Sequence, residues 1–325
     1  MTMNTKQIFT HLNQFSEHGQ SYLNTLEEES LANMVTTCND YYHNKSVSLL
    51  GDTLYDVLKS YAETKYPNNQ NISEIGSKSE VVNSKSNSNS KSKALLPYKM
   101  PSMNKIKPDT DALDSWKKKY RGPYVLSCKL DGVSGLYYTM NNQTRLYTRG
   151  DGTIGQDITG VLNYIHLPQI PNVIIRGEFI IKKKEFETHY SKTASNIRNM
   201  VAGIINQKKH DPAKTKSVDF VAYEVIEPVL SPSQQMAFLK ENHFNTVQHE
   251  TTKMPATTPA TAPITTHTTI TNETLSNTLV KWRAEYEYEI DGVIVANDAI
   301  YERTSTNPKH AFAFKMVISD QLAEM

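Results

Sequence analysis

Lys129 precedes Asp131 in the run Lys129-Leu130-Asp131-Gly132. A lysine amine is a nucleophile only when deprotonated, and neighbouring cations or loss of water lower its pKa from about 10.4. Taken alone, a lysine and an aspartate so spaced at a strand end ordinarily form a solvated surface pair. Further chemistry-bearing groups follow at intervals: Thr148-Arg149-Gly150-Asp151-Gly152, Arg176-Gly177-Glu178, Glu289-Ile290-Asp291-Gly292-Val293-Ile294-Val295 and Phe312-Ala313-Phe314-Lys315. Glu178 and Asp291 carry oxygen ligands of the kind Mg²⁺ prefers. Lys315 adds a cation that can favour the neutral form of Lys129 and stabilise charge developing on a bound anion.

The elements that must position these residues change character along the chain. From about Thr5 to Pro67 the apolar residues recur at helical spacing, as in Ile8, Leu12, Phe15, then Leu31, Met34, Val35, then Leu54, Leu58, Tyr61. This predicts a small all-helical domain over residues 1–75. Between Ser77 and Lys93 the composition collapses to Ser, Lys and Asn, too polar to offset the entropy of ordering, so residues 76–93 are expected to be a flexible tether. After Leu96 come short alternating runs, including Tyr124–Leu130, Gly135–Thr139, Val173–Phe179 and Val218–Tyr223, bounded by Asp-Gly, Asn-Asn and Pro signals. These read as strands of a mostly antiparallel sheet with helices between some of them, in a second domain over 94–325. A Thr/Pro/Ala-rich stretch at 250–273 reads as a surface insertion before a helix at Leu275–Tyr286. The fold class is α+β.

A chain of 325 residues suits one large domain plus a small one. With 35 Lys and Arg against 34 Asp and Glu, no global positive field advertises a polyanionic partner, and nucleic-acid binding would rest on local patches. The basic runs Lys117–Lys119 and Lys182–Lys184 read as solvated faces. Cys38 and Cys128 stand apart, so neither a disulfide framework nor a multi-cysteine zinc site is expected. No stretch approaches the ~20 apolar residues that span a bilayer, and the expected setting is soluble and intracellular, in cytoplasm or at a viral replication site, as a monomer.

In order and spacing, the segments from Lys129 to Lys315 resemble the motifs of the covalent nucleotidyltransferases: DNA ligases, RNA ligases and capping enzymes. That resemblance implies that Lys129 attacks a nucleotide phosphorus, with Asp131 and Lys315 as further catalytic residues. It also implies that Glu178 and Asp291 serve the nucleotide and a Mg²⁺ ion, or Mn²⁺ in its place, and that Arg149 contacts nucleotide and substrate. Tyr223 falls where the family stacks an aromatic ring on adenine, against the alternative of a core tyrosine.

The N-terminal region specifies the cofactor. Tyr41-Tyr42-His43, Asp52-Thr53-Leu54-Tyr55-Asp56 and Lys65-Tyr66-Pro67 look like the helical domain of NAD⁺-dependent DNA ligases. There Tyr42, His43, Asp52, Tyr55 and Asp56 would clamp the nicotinamide mononucleotide (NMN) half of NAD⁺. Tyrosine rings can stack on a cationic nicotinamide, and carboxylates can pair with its charge or bind ribose hydroxyls. Leu96–Met103 resembles the family's entry into the adenylation domain. Asn196–Gly203 resembles its Asn-Pro-Arg-Asn-Ala-Ala-Ala-Gly stretch, with Arg198 as the arginine, and Pro308–Lys315 resembles Pro-Arg-Trp-Ala-Ile-Ala-Tyr-Lys. The wording leans toward a divergent branch found in large DNA viruses.

The match has gaps. Ala296 stands where a second lysine is usual, Ser127 where a glutamate helps read adenine, and Asn206 where a second arginine often lies. Arg283 matches a family arginine and is expected to compensate in part for Ala296. The chain ends shortly after Lys315 without the OB, zinc, helix-hairpin-helix and BRCT domains of these enzymes, so a fragment is expected. The expected function is formation of AMP-lysine at Lys129 with release of NMN, transfer of AMP to the 5′-phosphate of nicked double-stranded DNA, and sealing by the 3′-hydroxyl. The alternatives are an ATP-dependent polynucleotide ligase or capping-type transferase, and a nucleotide-binding remnant without catalysis.

Overall fold

Helix caps mark where the first helices begin and stop. Asn4 accepts the Gln7 backbone N–H while the Gln7 side chain returns to the Asn4 N–H, and this reciprocal cap starts α1 (Thr5–His18). Gly19, at φ 60°, ends it. Then come α2 (Gln20–Leu23), α3 (Glu28–Asn44), α4 (Asp52–Lys65) and α5 (Gln70–Ser73). Their apolar stripes meet in one core that includes Phe15, Leu23, Leu31, Met34, Leu58 and Ile72.

The computed structural model describes residues 4–44, 48–73, 93–108, 110–207, 209–252 and 270–316, and these fall into two compact units, one on each side of the expected tether. The tether lies outside the described residues except for Lys93, which opens a strand.

The second unit runs β1 (Lys93–Leu95), β2 (Lys105–Ile106), α6 (Ala112–Lys119), β3 (Tyr124–Leu130), β4 (Val133–Tyr138), β5 (Arg145–Thr148) and β6 (Ile154–Gln156). It continues with β7 (Ile174–Ile180), α7 (Lys183–His189), α8 (Ile197–Ile205), α9 (Pro212–Lys216), β8 (Asp219–Glu227) and α10 (Pro232–Glu241). Last come β9 (His249–Thr251), α11 (Asn272–Glu285), β10 (Ile290–Asn297) and β11 (Ala311–Phe314). Of the Thr/Pro-rich stretch, residues 253–269 lie outside the described part. Its flanks are ordered elements: Glu250 and Thr251 belong to β9, and the Thr271 side chain accepts the Thr274 N–H to cap α11.

Two main sheets carry the unit. One has the order β2-β11-β10-β3-β9 and the other β5-β4-β7-β8, with β1 and β6 as a small separate pair. All pairings are antiparallel except β2 with β11. The fold is therefore α+β, a helical unit followed by a mostly antiparallel-sheet unit. One apolar core, including Phe179, Phe220, Leu279, Trp282, Val293 and Phe314, joins both main sheets and the helices around them.

Two glycines allow the approaches the site needs. Asp131-Gly132 carries the chain from β3 in one sheet to β4 in the other, and a Cβ on Gly132 would lie 2.2 Å from the Phe179 carbonyl oxygen and 2.9 Å from Glu178 Cγ. A Cβ on Gly292 would lie 2.7 Å from the Phe314 carbonyl oxygen, 3.2 Å from Lys315 Cγ and 3.6 Å from Lys129 Cδ. A side chain there would press on the β11 backbone and the Lys315 stem, while the Lys129 stem stays at ordinary contact distance.

Candidate active site

The register of three strands assembles the centre of the site. Lys129 pairs with Gly292 across β3 and β10, and β11 continues into Lys315 on the other side of β10. Asp291 therefore lies between two lysines. Lys129 Nζ is 2.8 Å from Asp291 Oδ1 and 2.9 Å from Oδ2, and Lys315 Nζ is 2.9 Å from Oδ2. The Asp291 and Lys315 side chains are only 11% and 13% exposed, whereas Lys129 keeps 29%, so the nucleophile candidate is the most accessible of the three.

The neighbouring sheet contributes a second group. β7 is buried along its whole length yet carries Arg176 and Glu178, a placement that is costly unless the charges are answered. Ser134, opposite Glu178 on β4, donates its hydroxyl to Glu178 Oε2 at 2.8 Å. Burial pushes the Glu178 carboxyl above the usual carboxylate range, and Arg198, the Ser134 hydroxyl and Lys129 work against that rise while Asp131 adds to it. Arg198 is set by α8, whose N-cap Asn196 accepts the Asn199 N–H, and donates to Asp131 Oδ1 at 3.0 Å. The electrostatic coupling of Glu178 to Lys129, Asp131 and Arg198 places all four in one neighbourhood.

The remaining expected residues surround this cluster. Tyr223 occupies a bulge of β8, its hydroxyl 3.5 Å from Ser134 Oγ and its ring 5.6 Å beneath the Arg176 guanidinium. Arg149 donates its backbone N–H to the Ser134 carbonyl at 2.9 Å and its Nε to the Met100 carbonyl at 3.1 Å, which ties the Leu96–Met103 entry segment to β4. Arg283 ends α11. Its backbone carbonyl accepts Lys183 Nζ at 2.8 Å, its Nε is buried without a hydrogen-bond partner, and its charge acts on Glu289. Ala296 is opposite Val125 and Ala311 on the face of the sheet that Gly292 shares.

In the helical unit, Tyr55 donates to Asn39 Oδ1 at 2.6 Å and packs on the core, and burial raises its phenol well above the usual range. Asp56, the next residue on α4, is half-buried. Tyr42 and His43 belong to α3 and Asp52 starts α4, and the side chains of all three lie outside the described part.

Sequence reasoning passed over several residues that the structure brings in. Ser134 links Glu178, Tyr223 and Arg149. Glu289, whose carbonyl accepts the Asp131 N–H at 3.0 Å, has a carboxyl raised first by burial and then by Asp131 and Asp291. Glu224 bridges Arg176, at 2.8 Å, and Arg303 beside Tyr223. Ser134 becomes visible only when the strand is started at Val133, directly after Asp131-Gly132, and not at Gly135.

Expected metal ligands divide unequally. Glu178 is a buried carboxylate with its charge incompletely answered, and the combination of one carboxylate with phosphate oxygens and water suits Mg²⁺. Both oxygens of Asp291 are engaged by ammonium groups, so it would ligate a cation only by releasing one of them. No group of three or more His, Cys, Asp or Glu suited to a metal occurs among the described residues, and none of their helices is long and apolar enough to cross a membrane.

Comparison with known proteins bears on this arrangement. A family model described as the NAD-dependent DNA ligase adenylation domain matches residues 97–318. The chain is 37% identical over 302 residues to a DNA ligase of Acanthamoeba polyphaga mimivirus, covering 90% of this chain and 43% of that protein. It is 28% identical over 328 residues to a DNA ligase of Fusobacterium nucleatum, covering 90% of this chain and 44% of that protein. A DNA ligase of Bacillus subtilis strain 168 is 29% identical over 224 residues, or 62% of this chain and 32% of its own length. The chain thus spans less than half the length of these relatives.

Proposed function

The chain belongs to the NAD-dependent DNA ligase family, and from that premise we propose that it transfers the adenylyl group of NAD⁺ to Lys129. The observation that carries the proposal is the contact of Lys129 Nζ with Asp291, in a pair that Lys315 completes. Asp291 holds the amine at the strand junction and is the carboxylate within reach of its proton. As Lys129 Nζ bonds to the adenylyl phosphorus, the phosphorus–oxygen bond to NMN breaks and the electron pair leaves with NMN. Lys315 remains at hydrogen-bond distance from Asp291 and supplies fixed positive charge where phosphate charge develops. A Mg²⁺ ion held by Glu178 would, when bound, neutralise phosphate oxygens. Arg198 holds Asp131, Ser134 orients Glu178, and Tyr223 offers its ring to the adenine.

Tyr42, His43, Asp52, Tyr55 and Asp56 supply the grip on the NMN half in this reading. The AMP-lysine then passes AMP to the 5′-phosphate of a DNA nick, and the 3′-hydroxyl displaces it. Incubation with NAD⁺ and separately with ATP, each followed by intact-mass analysis, tests the cofactor: an adduct from NAD⁺ alone is expected. An adduct formed as efficiently from ATP would overturn it.

A further inference from the structure

The 298–310 loop between β10 and β11 is closed on its own stem. The Asn297 N–H donates to the His310 carbonyl at 2.9 Å, the Tyr301 hydroxyl donates to Asn297 Oδ1 at 2.6 Å, and the Tyr301 and His310 rings stack with centroids 4.2 Å apart. Asn297 is buried and donates its amide to the Arg121 carbonyl at 3.2 Å, which ties the stem to the sheet unit. From this stem Arg303 reaches the other main sheet and donates to Glu224 Oε1 on β8. The Arg303–Glu224 pair thus spans the two sheets beside Tyr223.

Tyr223 needs such support because the strand ladder does not place it. Arg176 pairs with Glu224 and Gly177 with Ala222, so Tyr223 falls in the bulge between them without a partner on β7. Its side chain meets the Ser134 hydroxyl at 3.5 Å and the Arg176 guanidinium, 5.6 Å from the ring centre. Arg176 is only 8% exposed, and a buried cation is costly unless paired. Its Nη1 donates to Glu224 Oε2 at 2.8 Å and its Nη2 to the Pro101 carbonyl at 3.4 Å, while Nε is buried without a hydrogen-bond partner. Glu224 therefore answers two guanidiniums, one through each oxygen. Those two cations act on each other: burial and then Arg176 push the Arg303 pKa down to about 10.

We propose that Glu224, anchored by Arg303, is a positioning residue for adenylyl transfer, holding the Arg176 guanidinium against the Tyr223 ring so that this aromatic wall is set before the nucleotide arrives. The inference rests on the nucleotidyl-transfer reading above. Glu224 and Arg303 stand away from the reacting atoms in it. Their effect is on how tightly the dinucleotide is held, and the rate at which its phosphorus is transferred is left to Lys129 and its neighbours.

The test follows labelling by NAD⁺ with rapid quench across concentrations, which separates half-saturation from maximal rate. Glu224→Gln keeps the shape of the side chain and removes its charge, leaving two guanidiniums facing a neutral amide. The half-saturating NAD⁺ concentration is expected to rise about tenfold, the scale of one charged contact, with the maximal rate unchanged to within about twofold. Adding Arg303→Met removes one of the two cations, so the double variant is expected to regain about threefold of that loss. A role confined to holding the fold predicts the opposite, since losing both partners then harms binding at least as much as losing one. The comparison of the two variants carries the test, so a loss of stability common to both does not imitate the result. Half-saturation unchanged in Glu224→Gln, a fall in maximal rate alone, or a double variant no better than the single one would overturn the inference while leaving nucleotidyl transfer intact. Failure of wild-type chain to label at any NAD⁺ concentration would overturn the underlying reading instead.

Discussion

Lys129 Nζ lies 2.8 Å from Asp291 Oδ1 and 2.9 Å from Oδ2, although the two residues are 162 positions apart in the chain. The pairing of β3 with β10 creates this contact, and a slip of one residue in that register would turn the lysine to the other face. Lys315 reaches the same carboxylate from β11, so one anion holds two cations where a phosphate is proposed to enter. Nucleotide phosphate can then take over part of the neutralisation that Asp291 supplies in its absence.

Replacing Asp291 by Asn should leave two ammonium groups facing each other with a neutral amide. We expect a loss of about 3 kcal/mol in stability, the low end for breaking a buried pair, because Lys129 keeps contact with water. Adenylation should fall by about 100-fold. Chemical denaturation and rapid-quench labelling of Asp291→Asn check both, and wild-type behaviour in either would contradict the assignment.

Gly292→Ala would place a methyl group 2.7 Å from the Phe314 carbonyl oxygen and 3.2 Å from Lys315 Cγ. Overpacking of this kind costs about 1–3 kcal/mol. We expect the variant to remain folded by circular dichroism while its labelling rate drops more than about tenfold, because β11 and Lys315 must shift away from Asp291.

Glu178 is the source of a pH effect with a definite sign. Its folded-state carboxyl is raised by burial above its unfolded value of about 4.3, so the folded chain holds the proton more tightly. Stability is therefore favoured at low pH and lost as pH rises through the window between the two values. Glu178→Gln, which keeps an acceptor for Ser134 and removes the charge, should melt higher than wild type near pH 7.5 and show a smaller gain near pH 5. Its adenylation rate should fall. A lower melting temperature at pH 7.5 would show that Arg198 and Lys129 outweigh burial.

The helical residues should act on the cofactor alone. His43→Ala and Asp52→Ala are each expected to reduce labelling by NAD⁺ about tenfold, mainly through KM. The apolar core of the sheet unit includes neither residue, so the melting of that unit should not change. Differential scanning calorimetry alongside labelling separates the two effects.

Much of the site was legible because its chemistry is spread over distinctive short runs, Lys129-Leu130-Asp131-Gly132 and Glu289-Ile290-Asp291-Gly292 among them. β3 was predicted over the residues it occupies, since a seven-residue run between Pro123 and Asp131-Gly132 has clear bounds. The β1, β2 and β9 strands span only two or three residues, too few to show a period, and so escaped. The sharing of Asp291 by two lysines depends on three-strand register and has no sequence signature. Ser134 was missed for a related reason: a serine on a strand gains meaning only from its partner across the sheet, here Glu178.

The most direct test of the account is the mass of the intact chain after incubation with NAD⁺ and Mg²⁺. We expect wild-type chain to gain one adenylyl group, and Lys129→Ala, with Asp291 and Lys315 still paired, to gain none. Absence of the adduct in wild type, or its survival in Lys129→Ala, would contradict the assignment of Lys129 as the residue that takes AMP.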